Sequence, residues 1–297
     1  MLLLIKYTLL YGIVLMLVAL GGMFSEHSGI INIALEGIMV IGGVAGVLTL
    51  TMLPAGMPVF LVVLISVLVA ALAGMVYSLL LAFASINLKA DQTIGGTALN
   101  LMAPAMVLFL IRIIDGQNIL DMKTGDSATW FMLKKSTFGI PKEQDLGVLG
   151  EAFLNKVYLT TYLCILIFVV LSVILYKTRF GLRLRSCGEN PQAADSLGIH
   201  VKKMRYAGVI ISGALAGLGG GVFSITTANC SSNGDVAGFG FLALAVMIFG
   251  NWKPLNIAGG ALLFGLFKCI AACFTTLDIN GDGICRLAEL GLSANFY

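Results

Sequence analysis

Residues 58–86 read PVFLVVLISVLVAALAGMVYSLLLAFASI, a run of 29 positions without one Asp, Glu, Lys, Arg or His. A helix of about 20 mostly apolar residues crosses a hydrocarbon core about 30 Å thick, so this stretch reads as a transmembrane helix. Seven further apolar segments flank it, at residues 7–24, 38–53, 94–114, 157–176, 206–228, 236–250 and 255–277. Two of them are short: the segment from Ile38 joins semi-polar sequence at 28–36, and the one ending at Gly250 has about 15 residues. Irregular backbone at membrane depth is tolerated only where it lines a cavity or is buried in protein, so both are candidates for broken or re-entrant helices. The whole chain agrees: of 297 residues 59% are hydrophobic and 11% charged, against roughly 25% charged in soluble domains. Too little polar surface remains to coat a water-exposed particle. The expectation is one all-α, polytopic transmembrane helical bundle over residues 1–297.

Charge excludes other classes and orients the bundle. A net charge of +3, dispersed along the chain, leaves no footprint for nucleic acid. Residues 177–205 hold Lys177, Arg179, Arg183, Arg185, Lys202, Lys203 and Arg205, seven of the 18 basic residues, against Glu189 and Asp195. Short loops rich in Lys and Arg stay in the cytoplasm, so this loop is expected inside. Residues 115–156 carry five Lys against six acids and are expected outside. One apolar span separates the two loops, so the assignments agree. If all eight segments cross, Lys89 and Lys253 also lie inside, and the N-terminus lies outside with Lys6 beside it. More apolar spans follow the first one directly, so it is a retained helix and not a signal peptide. The six cysteines show no CxxC pair or Cys/His cluster and are expected to be inert.

Small residues recur three or four apart at Gly42 and Gly46 and again at Ser212, Gly213, Ala216, Gly217, Gly220 and Gly221. That spacing suits close helix packing in lipid. The Gly217 to Gly221 run is not a phosphate loop, because no Lys-Ser/Thr follows it.

Polar residues in apolar surroundings are the candidate functional groups. SEHSGIINIALEGIMVIGG places Asn32 and Glu36 four apart beside apolar sequence. Glu36 either faces a solute path or is satisfied by the N-terminus of a neighbouring helix. ADQTIGGTALNLM puts Gln92, Thr93, Thr97 and Asn100 at the entrance of a span. The last three share a helical face that bonds either a solute or a neighbouring helix.

The basic loop has its own turn chemistry. Asn190 fits a helix N-cap with Pro191 at the first helical position, opening a short amphipathic helix to about Leu197 that Gly198 ends. Cationic residues on both sides suit docking on a cytoplasmic partner or anchoring to lipid headgroups.

The loop GLRLRSCGENPQAADSLGIHVKKMRYAGVIISGALAGLGGGVFS resembles the coupling region of the permease subunits of ABC importers of the branched-chain amino acid, ribose and nucleoside type. Gly188, Asn190, Ala193, Ala194, Gly198 and Ile199 fit its pattern. SEHSGIINIALEGIMVIGG, ADQTIGGTALNLM and GFGFLALAVMIFGNWKPLNIAGGALLFG resemble further blocks of the nucleoside branch, so the resemblance covers most of the chain and is weakest at 115–156. It implies a multi-pass protein of the bacterial cytoplasmic membrane that pairs with a second homologous permease chain, two cytoplasmic ATPase domains and an extracytoplasmic solute-binding lipoprotein, working by alternating access. It also implies that Gly188, Glu189, Asn190, Pro191, Ala193, Ala194 and Gly198 form the ATPase-coupling segment, and that Asn32, Glu36, Thr93, Thr97 and Asn100 are solute-path candidates. No cofactor is expected on this chain, ATP-Mg acting on the partner ATPase subunits.

The family pattern continues into one more apolar span where this sequence ends in LDINGDGICRLAELGLSANFY, so the chain is expected to be a fragment with an external tail at 278–297. That tail matches a calcium-loop expression at Asp278, Asn280, Asp282, Gly283 and Glu289, although Cys285 holds the position that a working loop makes hydrophobic. An acidic external turn explains it equally. The rival reading from another class is an ion-coupled secondary transporter with Glu36 binding H⁺ or Na⁺. Permeases for sugars or branched-chain amino acids are the alternative within the family.

Overall fold

The computed structural model describes residues 2–54, 57–122, 132–133, 150 and 157–273. The candidate calcium ligands Asp278, Asn280, Asp282 and Glu289, the tail at 278–297 and most of the loop at 115–156 lie outside the described residues. Ten helices follow in order among the described residues: α1 Leu2–His27, α2 Leu35–Met52, α3 Val59–Ala82, α4 Gln92–Asp115, α5 Leu159–Lys177, α6 Arg179–Glu189, α7 Pro191–Ser196, α8 Val201–Thr226, α9 Phe239–Phe249 and α10 Pro254–Cys273. A π-helical turn, Phe83–Asn87, prolongs α3. Four two-residue strands form two antiparallel pairs, β1 Leu120–Asp121 with β4 Ser231–Ser232 and β2 Met132–Leu133 with β3 Val157–Tyr158. The fold is the expected all-α polytopic bundle.

Seven of these helices are long and apolar enough to cross a membrane. The eighth, α9, has 11 residues and spans about 16 Å, half a crossing. The strand pairs and α6–α7 mark opposite ends of the bundle. At the end bearing the basic loop, the Gly188 backbone lies against the His27 carbonyl, and the Tyr176 hydroxyl donates to the Trp252 carbonyl at 2.6 Å. The C-termini of α1 and α5 and the α9–α10 connection therefore share that end. α1 packs on α8, α9 and α10 and is buried along most of its length.

α8 is the axis of the bundle, lined by α1, α2 and α3. Glycine makes this possible. A Cβ on Gly217 would strike the Ala70 carbonyl and Gly74 Cα, one on Gly42 would strike the Gly217 backbone, and one on Gly220 would strike the Met39 backbone. Three helices thus touch backbone to backbone, the packing that replaces the hydrophobic effect inside lipid. Gly217→Val is expected to cost about 3 kcal/mol through overpacking and to lower the thermal midpoint of the detergent-solubilised protein. Gly259→Ala, whose Cβ meets nothing within 4 Å, is expected to leave that midpoint unchanged or slightly raised.

The outer faces carry apolar side chains, among them Leu68, Leu72 and Val76 on α3, Leu101 and Phe109 on α4, and Leu166, Val169 and Val173 on α5, each exposed. So continuous an apolar exterior suits a bilayer and not water.

Candidate functional site

Two connections leave helical geometry inside the bundle. Residues 28–34 follow α1 from the basic-loop end and deliver the chain to Leu35, where α2 begins; 233–238 follow β4 from the other end and deliver it to Phe239, where α9 begins. α2 and α9 start beside each other, since a Cβ on Gly240 would collide with the Glu36 backbone and carboxylate. From this junction α2 runs toward the strand end and α9 toward the basic-loop end.

Glu36 holds the junction together. Its Oε1 accepts the Gly238 amide at 2.9 Å, and its Oε2 accepts the Gly240 amide at 2.5 Å and the Phe241 amide at 3.3 Å. These are the free amides that open α9, where the helix dipole favours a negative charge. Of the two readings open for Glu36 in the sequence, the geometry matches satisfaction by a neighbouring helix N-terminus. Gly238 has φ +75° and Ala237 φ +52°, a left-handed turn that Asp235 secures by accepting the Ala237 amide at 2.8 Å.

The other break is satisfied just as fully. The Ser25 hydroxyl donates to the Ile30 carbonyl at 2.7 Å, and Gln92 accepts the Ile31 amide at 2.8 Å. Asn32 donates to the Ser212 hydroxyl at 2.8 Å and accepts the Ala34 amide at 3.1 Å. Asn100 donates to the Ile33 carbonyl and accepts the Gly37 amide, both at 2.8 Å. Irregular backbone survives at membrane depth only with such partners. Asn32, Glu36 and Asn100 therefore come together at the junction. Thr93 and Thr97 do not: both are exposed on the flank of α4, and the Thr97 hydroxyl bonds its own helix at the Thr93 and Ile94 carbonyls. The buried line of α4 passes through Gly96, Asn100, Ala103 and Val107, which leaves the threonines to one side. At the start of α4, Asp91 is the N-cap; the amides of Ile94 and Thr93 hold its carboxyl below the ordinary carboxylate range.

At the basic-loop end, α7 begins and ends at the expected residues. Asn190 accepts the Ala193 amide at 3.0 Å, Pro191 opens the helix, and Gly198 at φ +77° ends it. Ala194 is buried, whereas Gln192, Ala193, Asp195, Ser196 and Leu197 face outward. The geometry adds α6, whose Gly181, Leu184 and Cys187 are buried on one side. Their spacing of three in RFGLRLRSCGE was the signal for this helix. Burial pushes the Cys187 thiol upward, and it raises that of Cys230 to about 12, so neither is a reactive thiolate. Gly188 carries α6 onto the end of α1, since any Cβ there would meet the His27 carbonyl. Gly29, at φ +88°, lies beside the Arg205 guanidinium. Residues 28–34 are thus gripped at their start by residues that flank α7, Gly188 on α6 and Arg205 on α8. Asn190→Ala removes the cap, about 1 kcal/mol of local helix stability. It is expected to lower energised uptake severalfold at unchanged membrane yield, measured by transport in vesicles.

A family model described as branched-chain amino acid transport system / permease component matches residues 4–277. The guanosine ABC transporter permease protein NupQ of Bacillus subtilis is 42% identical over 93% of this chain and 83% of its own length. The nucleoside ABC transporter permease protein NupC of Lactococcus lactis is 41% identical over 89% of this chain and 80% of its own. NupB of the same organism, also a nucleoside ABC transporter permease protein, is 27% identical over 91% and 71%. No solved structure matches. With the family pattern running from the first helix to the last described one, the chain belongs to the branched-chain amino acid transport system / permease component family of ABC transporters, a membrane-spanning, non-enzymatic class of subunit.

Proposed function

We propose that this chain is a permease subunit of an ATP-driven importer of nucleosides in the bacterial cytoplasmic membrane. The observation that carries the reading is the identity of 42% and 41% to NupQ and NupC over about nine-tenths of the chain. The presence of two such relatives, NupB and NupC, in one organism supports assembly with a second, related permease. The basic loop lies on the cytoplasmic side, where α7 docks on an ATPase subunit and its movement reaches residues 28–34 through Gly188, His27 and Gly29. ATP-Mg is bound and hydrolysed on that partner, and a solute-binding lipoprotein delivers the nucleoside from outside. The bundle then alternates between outward and inward openings around the α2–α9 junction. The engagement of the Glu36 carboxylate by three amides favours this reading over ion coupling at Glu36.

Uptake of radiolabelled guanosine by cells carrying the whole transporter is the test. Uptake is expected to survive a protonophore and sodium removal while ATP is maintained, and to vanish when the phosphate-binding lysine of the ATPase partner is replaced. Loss with the ion gradients and survival of the ATPase substitution would contradict the proposal.

A further inference from the structure

Asn32 bonds the Ser212 hydroxyl and, like Glu36 and Asn100, the protein's own backbone, so groups elsewhere are better placed to meet a solute. A cleft of about 490 Å³ opens between α9 and α10, lined by Gly238, Phe241, Ala245, Phe264, Phe267 and Lys268. It is an open groove and not an enclosed cavity. Lys268 projects from an otherwise apolar helix, and its ammonium donates to the Ala237 carbonyl at 2.9 Å and stands 5.4 Å from the centre of the Phe239 ring. That ring packs on Tyr11, sixteen residues of α1, or about 24 Å, from His27 at the basic-loop end.

An ammonium at that depth is costly against lipid, and ionisable groups inside spans face watery or protein-lined space. The apolar faces of α3 and α5 suit lipid; the α9–α10 face is also apolar, with Phe241, Leu263 and Phe267 exposed, except where it carries Lys268. Lysine has three N–H groups, and Ala237 takes one. The cleft therefore offers remaining cationic donors beside exposed aromatic rings, Phe241 and Phe267.

Resting on the nucleoside reading above, we infer that the α9–α10 cleft is the surface on which this chain binds the nucleobase in transit, and that it prefers a 6-oxopurine. A base stacks on an aromatic face whatever its identity. Lysine adds the selection, because it donates to the O6 and N7 acceptors of guanine, whereas adenine presents an N6 donor there. The cleft opens sideways from this chain, so its remaining wall comes from the second permease of the proposed assembly.

Two measurements on the assembled transporter test the inference. Ala245→Cys, in the cleft, is expected to react with a charged methanethiosulfonate reagent and to be protected by guanosine more than by adenosine, while Leu166→Cys on the outer face of α5 stays unreactive. Lys268→Met is expected to cut guanosine uptake at least tenfold and to bring the guanosine-to-adenosine preference close to one, with Lys268→Arg keeping that preference. An inert Ala245→Cys, equal protection by both nucleosides, or wild-type preference in Lys268→Met would each overturn it. Failure of the parent reading is a different result: no ATP-dependent uptake of any nucleoside by the wild-type transporter.

Discussion

Glu36→Ala is expected to cost about 3–5 kcal/mol of stability and to abolish uptake. The substitution leaves the Gly238, Gly240 and Phe241 amides without the carboxylate oxygens that accept them. The Gly238 and Gly240 bonds are half-buried, so these amides regain water only in part and keep much of the desolvation penalty, whereas the Phe241 amide lies toward the exposed side. Glu36→Gln keeps one acceptor oxygen but turns an NH₂ group toward another donor, so about half that loss is expected. Thermal unfolding of the purified transporter, followed by size-exclusion yield, measures both. The ion-coupling alternative makes the opposite forecast for Glu36→Gln, full stability with loss of coupling alone.

The second large effect concerns α7. Ala193→Trp puts an indole on the outward side of a six-residue helix whose inner side rests on Ala194. It is expected to reduce capture of the ATPase partner in a pull-down more than tenfold and to abolish uptake, with the thermal midpoint of the permease unchanged. Ala194→Trp has a different outcome. Ala194 is 2% exposed, and its carbonyl accepts the Ile199 amide at 3.1 Å, so the bulky ring disrupts the loop itself and lowers stability as well as docking. The pair separates a lost interface from a lost fold. Leu197, 80% exposed at the tip of the loop, supplies a further variant: Leu197→Asp is expected to weaken capture without unfolding.

Much of this architecture is legible in the sequence because lipid imposes simple rules. The apolar run at 58–86 has one solution in a bilayer, and the structure has α3 there. The two segments singled out as short are the two that start inside the bundle, at Leu35 and Phe239. Asn190, Pro191 and Gly198 write α7 in local chemistry that needs no tertiary context. What sequence periodicity could not resolve was which polar groups meet. Glu36 finds its amides some 200 positions along the chain, and no local pattern points to Gly238. Thr93, Thr97 and Asn100 fall on one arc of α4, yet only Asn100 reaches the break, because the covering segment crosses the helix at Gly96 and Asn100. Nothing local in the sequence distinguishes Lys268; only the fold sets its ammonium against Ala237 and Phe239.

The proposed function requires α7 on the cytoplasmic side of the membrane. The direct measurement uses Leu197→Cys in cells expressing the complete transporter, read against the wild-type chain so that native thiols are subtracted. A membrane-impermeant maleimide added outside is expected to leave this cysteine unlabelled, while the same reagent labels it after permeabilisation and a short bifunctional cross-linker joins it to the ATPase partner. Labelling of intact cells at Leu197→Cys, with no cross-link to the ATPase, would contradict the account.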